Sequence, residues 1–458
     1  MSWRGFHYAD LCNFRQRLID NQAERLVFEQ VLQWVRALGF LRRHGQQRTD
    51  STHVLGCVER MSRLELAWET LRVTLRALKV AAPRWYAAVI PATFDEVYAE
   101  RQSDWRLNQA EIAAALQRAG QDGFWLLARL SPPAPEAVRT LPEVAVLATV
   151  WAQQFEQRAD RTLVQTPPIK GKGVVVSPHD PEARWSKKRS TAWVGYKLQV
   201  TETAEEDDPE GPDDRGPPPE AGLVHFLTDI EVTAANDGDS EALDEIQRRL
   251  LARDLKPEEQ TVDQAYVSGP NLARSTARGI TLLGPVSTSQ GDKANGYRQS
   301  DFRVDWATHQ STCPHGQEAV HWQEGIAPEA PTDPSRREIK IFFGAACQGC
   351  PGRSLCRPGR QGRTITFNAF HAELAARRAE QQTEEFQARL HRRVGIEGTL
   401  FGLVWSHGVR RARYRGQTKV RLQALFIGAA ANLKRLARAL TARAASRKQA
   451  KAAASVSC

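Results

Sequence analysis

Apolar residues recur every three or four positions at the start of the chain: Leu11, Phe14 and Leu18, then Leu26, Val27, Val31, Trp34, Val35 and Leu38. That spacing predicts a helix over residues 9–40, ended by Gly39 and the polar run from Arg42 to Gln47. Residues 48–55 (Arg-Thr-Asp-Ser-Thr-His-Val-Leu) are rich in β-branched residues and read as a short strand. Helical periodicity returns over residues 59–160, for example at Leu64, Trp68, Leu71, Leu75 and Leu78, with breaks at Pro83, Pro91 and Pro132-Pro133. From about residue 172 the period changes. Val194, Tyr196, Leu198 and Val200 alternate with polar residues or glycine, as in a half-buried strand. Val224, Phe226, Ile230 and Val232 share the face of a second strand, and Leu243, Ile246 and Leu250 mark a helix over 240–252. A third short strand ends at Val262-Asp263. Two strands, a helix and a further strand predict a mixed α/β core. Residues 280–370 read as short strands and turns, and two helices follow at 382–402 and roughly 418–440.

Charge changes this picture at two places. Residues 202–220 hold nine acids among several prolines and read as a disordered loop. After Glu397 there are thirteen Lys and Arg residues, from Arg410 to Lys451, and no Asp or Glu. That block exceeds the +10 net charge of the whole chain and suits a polyanion such as a DNA backbone. No apolar run reaches the roughly 18 residues of a membrane span, and no signal peptide opens the chain, so a cytoplasmic protein with no membrane partner is expected. The cysteines are spaced for a metal. Cys347, Cys350 and Cys356 form a C-x2-C-x5-C cluster, and Cys313 precedes Pro314-His315-Gly316. Four such thiolates, with His315 as a substitute, suit one structural Zn²⁺. Arg353, Arg357 and Arg360 beside them suit contact with DNA, while Cys12, Cys57 and Cys458 stand alone.

Three carboxylates stand where a structural acid is costly. Asp50 lies inside the first short strand, and Asp263 closes an apolar one. On the predicted helix 382–402, Phe386, Leu390, Val394, Glu397 and Phe401 recur at spacings of 4, 4, 3 and 4, which places Glu397 on the stripe expected to face the core. Gly395 and Gly398 flank it, each costing a helix interior about 1 kcal/mol, and so predict close backbone approach. Carboxylate oxygens of this kind suit hard ions such as Mg²⁺ or Mn²⁺. Asp180 is the rival for the first position, but Pro181 after it favours a loop.

Asp50-Ser51-Thr52 resembles the segment carrying the first catalytic Asp in DDE transposases of bacterial insertion sequences. Thr261-Val262-Asp263-Gln264-Ala265-Tyr266 is similar to the second-Asp strand, with Ala265 where a Gly is usual. Arg393-Val394-Gly395-Ile396-Glu397 is similar to the third segment. Leu390 and Val404 stand where that segment usually has a Tyr and a Lys, and Arg410, Arg411 and Arg413 are candidates to replace the Lys. Ser177 to Arg184, Gly195-Tyr196-Lys197 and Asn432-Leu433 extend the resemblance, which covers nearly all of residues 5–440. Relatives usually carry a further N-terminal helical region that binds the element's ends.

The resemblance implies an RNase H-like fold: a mixed five-stranded sheet with helices, the first Asp on strand one, the second after strand four and the Glu on a later helix. The chain then divides into N-terminal helices (1–47), a core (48–58 and 172–280), a helical insertion (59–171), a zinc-binding insertion (281–370), helices completing the core (371–440) and a basic disordered tail (441–458). The resemblance also implies DNA strand cleavage and transfer. Asp50, Asp263 and Glu397 would hold two Mg²⁺ ions, and Lys197, Arg393, Arg410, Arg411, Arg413, Arg415 and Lys419 would contact double-stranded DNA, with a homodimer as a possible assembly. The alternative is a truncated or domesticated, non-catalytic zinc-containing DNA-binding protein.

Overall fold

The structure is a computed structural model that describes residues 7–42, 44–157, 163–165, 171–204, 224–287, 296–326, 337–356 and 359–456. Most of the acidic, proline-rich run, together with Arg357 and Cys458, lies outside the described residues.

A mixed sheet forms the centre. Its strands are β1 (Gln46–Leu55), β2 (Arg184–Lys188), β3 (Thr191–Thr203), β4 (Leu227–Ala234), β5 (Glu259–Val262) and β6 (Thr281–Leu283). Five of them run in the order β4-β3-β1-β5-β6. The β1–β3 and β3–β4 pairs are antiparallel, whereas β1–β5 and β5–β6 are parallel. This mixed α/β arrangement is compatible with an RNase H-like fold. β2 is a sixth strand, paired with the end of β3 that projects past β1.

The helices follow local chemistry. The first predicted helix is two: α1 (Tyr8–Asp20) and α2 (Leu26–Ala37), separated at Gln22, which has φ 53°. Gly39, at φ 76°, ends α2 as expected. α3 (Arg63–Ala81) opens on a capping box between Ser62 and Glu65, and α4 (Gln109–Arg129) on one between Asn108 and Glu111. With α5 (Pro142–Gln154) they bury Leu71, Leu78, Leu126, Leu147 and Trp151 in an apolar cluster of their own. The Trp151 ring leaves no room for a side chain at position 123, where a Cβ would meet it at 1.9 Å. Farther along lie α6 (Asp239–Ala252), α7 (Gly269–Ala277), α8 (Glu384–His391), α9 (Gly395–Trp405) and α10 (Gln417–Val456). Residues 441–456, expected to be a disordered tail, continue α10 as helix, so its cations are carried on a helical scaffold. The run is rich in Ala, Lys and Arg, all strong helix formers.

The sheet core buries Phe28, Val31 and Val35 of α2, Leu198 and Val200 of β3, Ile230 and Val232 of β4, and Leu425 and Ala429 of α10. α10 lies so close to β4 that a Cβ at Gly428 would meet Ile230 at 2.0 Å. Asn432, fully buried on α10, accepts from the Leu227 amide at 2.9 Å and donates to its carbonyl at 2.8 Å. No helix among the described residues is long and apolar enough to cross a membrane.

One buried charge sets an acid limit on stability. Asp229 on β4 is 1% exposed and meets Arg249 at 2.7 Å, Arg253 at 2.6 Å and Arg25 at 3.2 Å. Burial alone would raise its pKa, but the three guanidinium groups outweigh it and hold the carboxyl at about 2. The unfolded value is about 3.9, so this contribution is complete above roughly pH 4 and disappears as pH falls through about 2. It amounts to about 2–3 kcal/mol. Denaturant unfolding between pH 2 and 5 should show that loss, and Asp229→Asn should flatten it.

Candidate active site

The centre of the sheet is polar where a core strand would be apolar. Thr49 is fully buried yet sits 2.8 Å from the Thr201 hydroxyl and accepts from Gln260 at 2.8 Å. Arg48 lies opposite Glu202 in the antiparallel register, and the two buried side chains meet at 2.8 Å. Asp50 is two positions farther along, on the same face as Arg48.

The parallel pairing of β1 with β5 ends at Thr49 and Val262. Asp50 and Asp263 are the next residue on each strand, so adjacent strands present the two acids side by side. Asp263 also caps the short helical turn after β5, accepting from the Ala265 amide at 2.9 Å. Burial pushes the Asp50 carboxyl up to about 6, and the charge of Asp263 adds to that; the Ser51 amide, Arg393 and Lys188 oppose it. Tyr266, three residues after Asp263, is fully buried and bonded to Gln199. Burial and the surrounding acids Asp239, Asp50 and Asp263 keep its hydroxyl protonated.

Arg393 brings in the third acid. Its guanidinium lies 2.8 Å from Asp50 Oδ2 and 3.7 Å from Glu397 Oε1. Arg393 therefore links the first and third acids, while the second, Asp263, acts on Asp50 through its charge. Glu397 gets there by a route that corrects the expectation for its helix. Residues 392–394 form a 3-10 turn that divides α8 from α9. α9 buries Ile396 and Leu403, while Val394 and Phe401 are exposed and the Glu397 side chain is 64% exposed. The stripe containing Glu397 thus faces outward. Two glycines had suggested close approach, and only one makes it. A Cβ at Gly395 would meet the Arg48 guanidinium at 2.1 Å, while one at Gly398 would meet nothing within 4 Å.

Asp180 is elsewhere. It is fully buried, accepts from the Tyr196 hydroxyl at 2.6 Å and from the Gly416 amide at 3.2 Å, and anchors the start of α10. Tyr196 pairs with Val54, four positions beyond Asp50 and so about 13 Å along the strand.

The basic residues divide into two groups. Lys197 donates to the Asp237 carbonyl at 2.7 Å and meets Asp239 at 3.1 Å, which ties α6 to β3. Arg410 donates to Thr52 and to the His53 carbonyl, extending the edge of β1. Arg411, Arg413, Arg415 and Lys419 are exposed. Sequence reasoning missed Arg48, Glu202 and Lys188. The signal for the first was present: Arg48 and Asp50 stand two apart on one strand, hence on one face.

The cysteines gather around a second centre. β7 (His321–Ile326), β8 (Arg337–Phe342) and β9 (Thr364–Asn368) form a small antiparallel sheet beside them. Cys313, Cys347, Cys350 and Cys356 line one cavity of about 20 Å³, space for a single small ion, with His315 also on its wall. Backbone amides of Gln317 and Arg363 point at the Cys313 and Cys347 sulfurs, each at 3.3 Å. Burial pushes the Cys356 thiol up, and the other three cysteines add to that against Arg363. His315 is bonded to the Tyr297 hydroxyl at 2.7 Å. Arg353 donates to the Cys347 carbonyl, and Arg360 is exposed.

The donor types, though not yet their spacing, match the ions expected of them. Carboxylate oxygens suit a hard divalent cation, and sulfurs that accept from amides suit zinc. Among the described residues, no three His, Cys, Asp or Glu side chains are drawn together closely enough to hold a metal ion. The zinc site expected from spacing is therefore seen as donors around one cavity and not as a closed shell.

Residues 312–437 match a family model described as the transposase DDE domain. That stretch contains Arg393, Glu397 and the four clustered cysteines, while Asp50 and Asp263 precede it. No curated protein matches the chain.

Proposed function

We propose that this chain is a DDE transposase, which cuts DNA strands and joins the freed 3′ ends to new sites as the enzyme of an insertion sequence; the match of residues 312–437 to a transposase DDE domain supports this reading. The observation that carries this reading is the juxtaposition of Asp50 and Asp263 on neighbouring parallel strands, with Arg393 spanning Asp50 and Glu397. Asp50, Asp263 and Glu397 would hold the Mg²⁺ or Mn²⁺ ions. When bound, such a pair supplies activation of water or a 3′-hydroxyl and stabilisation of the leaving oxygen. The protein's own groups prepare the place. Arg393 neutralises the acids and orients Asp50, and Arg48 clamps the turn before α9 through the Arg392 carbonyl at 2.8 Å. The exposed Arg411, Arg413, Arg415 and Lys419 would meet double-stranded DNA at the element ends and target. The cysteines hold one structural Zn²⁺.

Incubating the purified protein with Mg²⁺ and a plasmid carrying the DNA that flanks its gene tests this reading. Nicking and joined products that depend on the metal support it. Salt-sensitive binding with no cleavage under any divalent ion would favour the non-catalytic DNA-binding alternative.

The acid crowding predicts a further effect on stability. Folding raises the Asp50 pKa from about 3.9 to about 6, so its contribution favours the native state below roughly pH 4 and is lost as pH rises through 6. At pH 7.5 the ionised site then costs about 3 kcal/mol without metal. Mg²⁺ should raise the melting temperature at pH 7.5 by a few degrees, at about 2–4 °C per kcal/mol. Asp50→Asn should melt higher than the parent in chelator and lose the response to Mg²⁺. Equal responses to Mg²⁺ in both proteins would remove Asp50 from the metal site.

A further inference from the structure

The outward face of α9 does more than carry Glu397. Glu397, Phe401 and Trp405 recur every four residues and form one row. Phe401 is 64% exposed and Trp405 74%, with ring centroids 5.9 Å apart. Large apolar side chains this exposed, on a helix whose other face is buried, mark a binding surface.

The next row of the helix borders a groove. Gly398 and Gly402 stand there, and a Cβ at either would meet nothing within 4 Å, so this side of the backbone is open. The groove encloses about 450 Å³ between α9 and α10. Arg48, Arg435, Lys434 and Arg438 line it, with His225 and His407, and no Asp or Glu does. Arg48 and Arg435 are both held by the buried Glu202, at 2.8 and 3.1 Å. Lys434 and Arg438 are exposed on α10, and their charge is available to an anion.

We infer that this groove seats a single DNA strand leaving the catalytic acids, with bases stacked on Phe401 and Trp405 and phosphates on Lys434 and Arg438. The occupant follows from chemistry. Exposed aromatic faces next to a groove lined by cations match bases and phosphates in alternation. A duplex keeps its base faces stacked on one another and cannot offer them, so the row of rings selects unpaired nucleotides. The inference deepens the proposed reaction and rests on it, because strand cleavage next to Glu397 is what would release such a strand.

Binding measured without catalysis separates the two ideas. Fluorescence anisotropy in EDTA, with labelled dT20 and a 20-base-pair duplex as probes, should show that Phe401→Ala and Trp405→Ala each weaken dT20 about tenfold or more. Duplex affinity should change less than twofold. Lys434→Ala with Arg438→Ala should lower the salt dependence of dT20 binding by about 1.4 in slope, roughly 0.7 for each phosphate that is no longer neutralised. All four side chains are exposed, and unchanged melting temperatures would confirm folding. Unaltered dT20 affinity, or equal losses for dT20 and duplex, would overturn the inference. So would a Trp405→Ala protein that sediments as a monomer where the parent is a dimer while its DNA affinity is intact, since the rings would then meet a second copy of this chain. A catalytic failure of Asp263→Asn leaves all these measurements in force, so a wrong groove and a wrong reaction are told apart.

Discussion

Asp263→Asn should abolish Mg²⁺-dependent strand cleavage, by roughly 10³-fold or more, while leaving the fold and DNA affinity almost unchanged. The substitution isolates charge from structure. Asp263 is only partly buried, and its structural task is to accept the Ala265 amide at 2.9 Å as the cap of a short turn. Asn caps as well as Asp, so that hydrogen bond survives. The lost negative charge is what a hard divalent ion requires, and a carboxamide cannot replace it. A thousandfold rate loss corresponds to about 4 kcal/mol in the barrier. Duplex affinity should persist, because the exposed cations Arg411, Arg413, Arg415 and Lys419 are untouched. The substitution should also lower the Asp50 pKa, because it deletes a neighbouring charge that helps to raise it. Cleavage and binding assays on one preparation read both effects, and cleavage at the parent's rate in Asp263→Asn would place the chemistry elsewhere.

The second large effect concerns the cysteine cavity. Protein purified without chelator should contain one Zn²⁺ per chain, and Cys347→Ser should lose it. Structural zinc sites bind with about 10–16 kcal/mol of apparent free energy, which is folding energy wherever the site does not persist without metal. The apolar cluster here is small: Phe302, Ile341, Phe343, Cys347 and Ile365 are its buried members. Such a core leaves little surplus against the conformational entropy of the β7–β9 sheet and its loops. Chelation should therefore expose residues 296–370 to protease before the central sheet melts. The sheet core, built from β1, β3, β4, α2 and α10, shares no residue with this cluster and should unfold at an almost unchanged temperature. Absence of zinc by elemental analysis, or equal protease resistance with and without chelator, would remove the metal from the protein.

Much of the architecture was legible in side-chain pattern. Alternation at Val194, Tyr196, Leu198 and Val200 identified β3, because strand neighbours point to opposite faces. The stripe Leu243, Ile246 and Leu250 identified α6 within a residue at its start. Gly39 ended α2 because a left-handed position there favours glycine. Local chemistry is enough for such features, since each depends on residues within one or two turns. The sequence also singled out Asp50, Asp263 and Glu397, but it could not bring them together. Strand register sets the two aspartates side by side, by ending the β1–β5 pairing one residue before each, and Arg393 links Asp50 to Glu397.

Pattern failed where two environments share one period. A stripe at spacings of 4, 4, 3 and 4 predicts a helical face, yet it does not say whether protein or solvent covers that face. α9 is apolar on several sides, and the sheet and α10 took Ile396 and Leu403, leaving Glu397, Phe401 and Trp405 outside. Cations met the same limit. Lys197 and Arg411 look alike in sequence, but tertiary neighbours bind the first to Asp239 and leave the second exposed. The sequence by itself determined most element types and the cysteine spacing, because composition and short-range period encode them. The tertiary structure alone decided that Asp50 lies beside Asp263, which cations remain available and which face of α9 is left outward, because those depend on contacts between segments hundreds of residues apart.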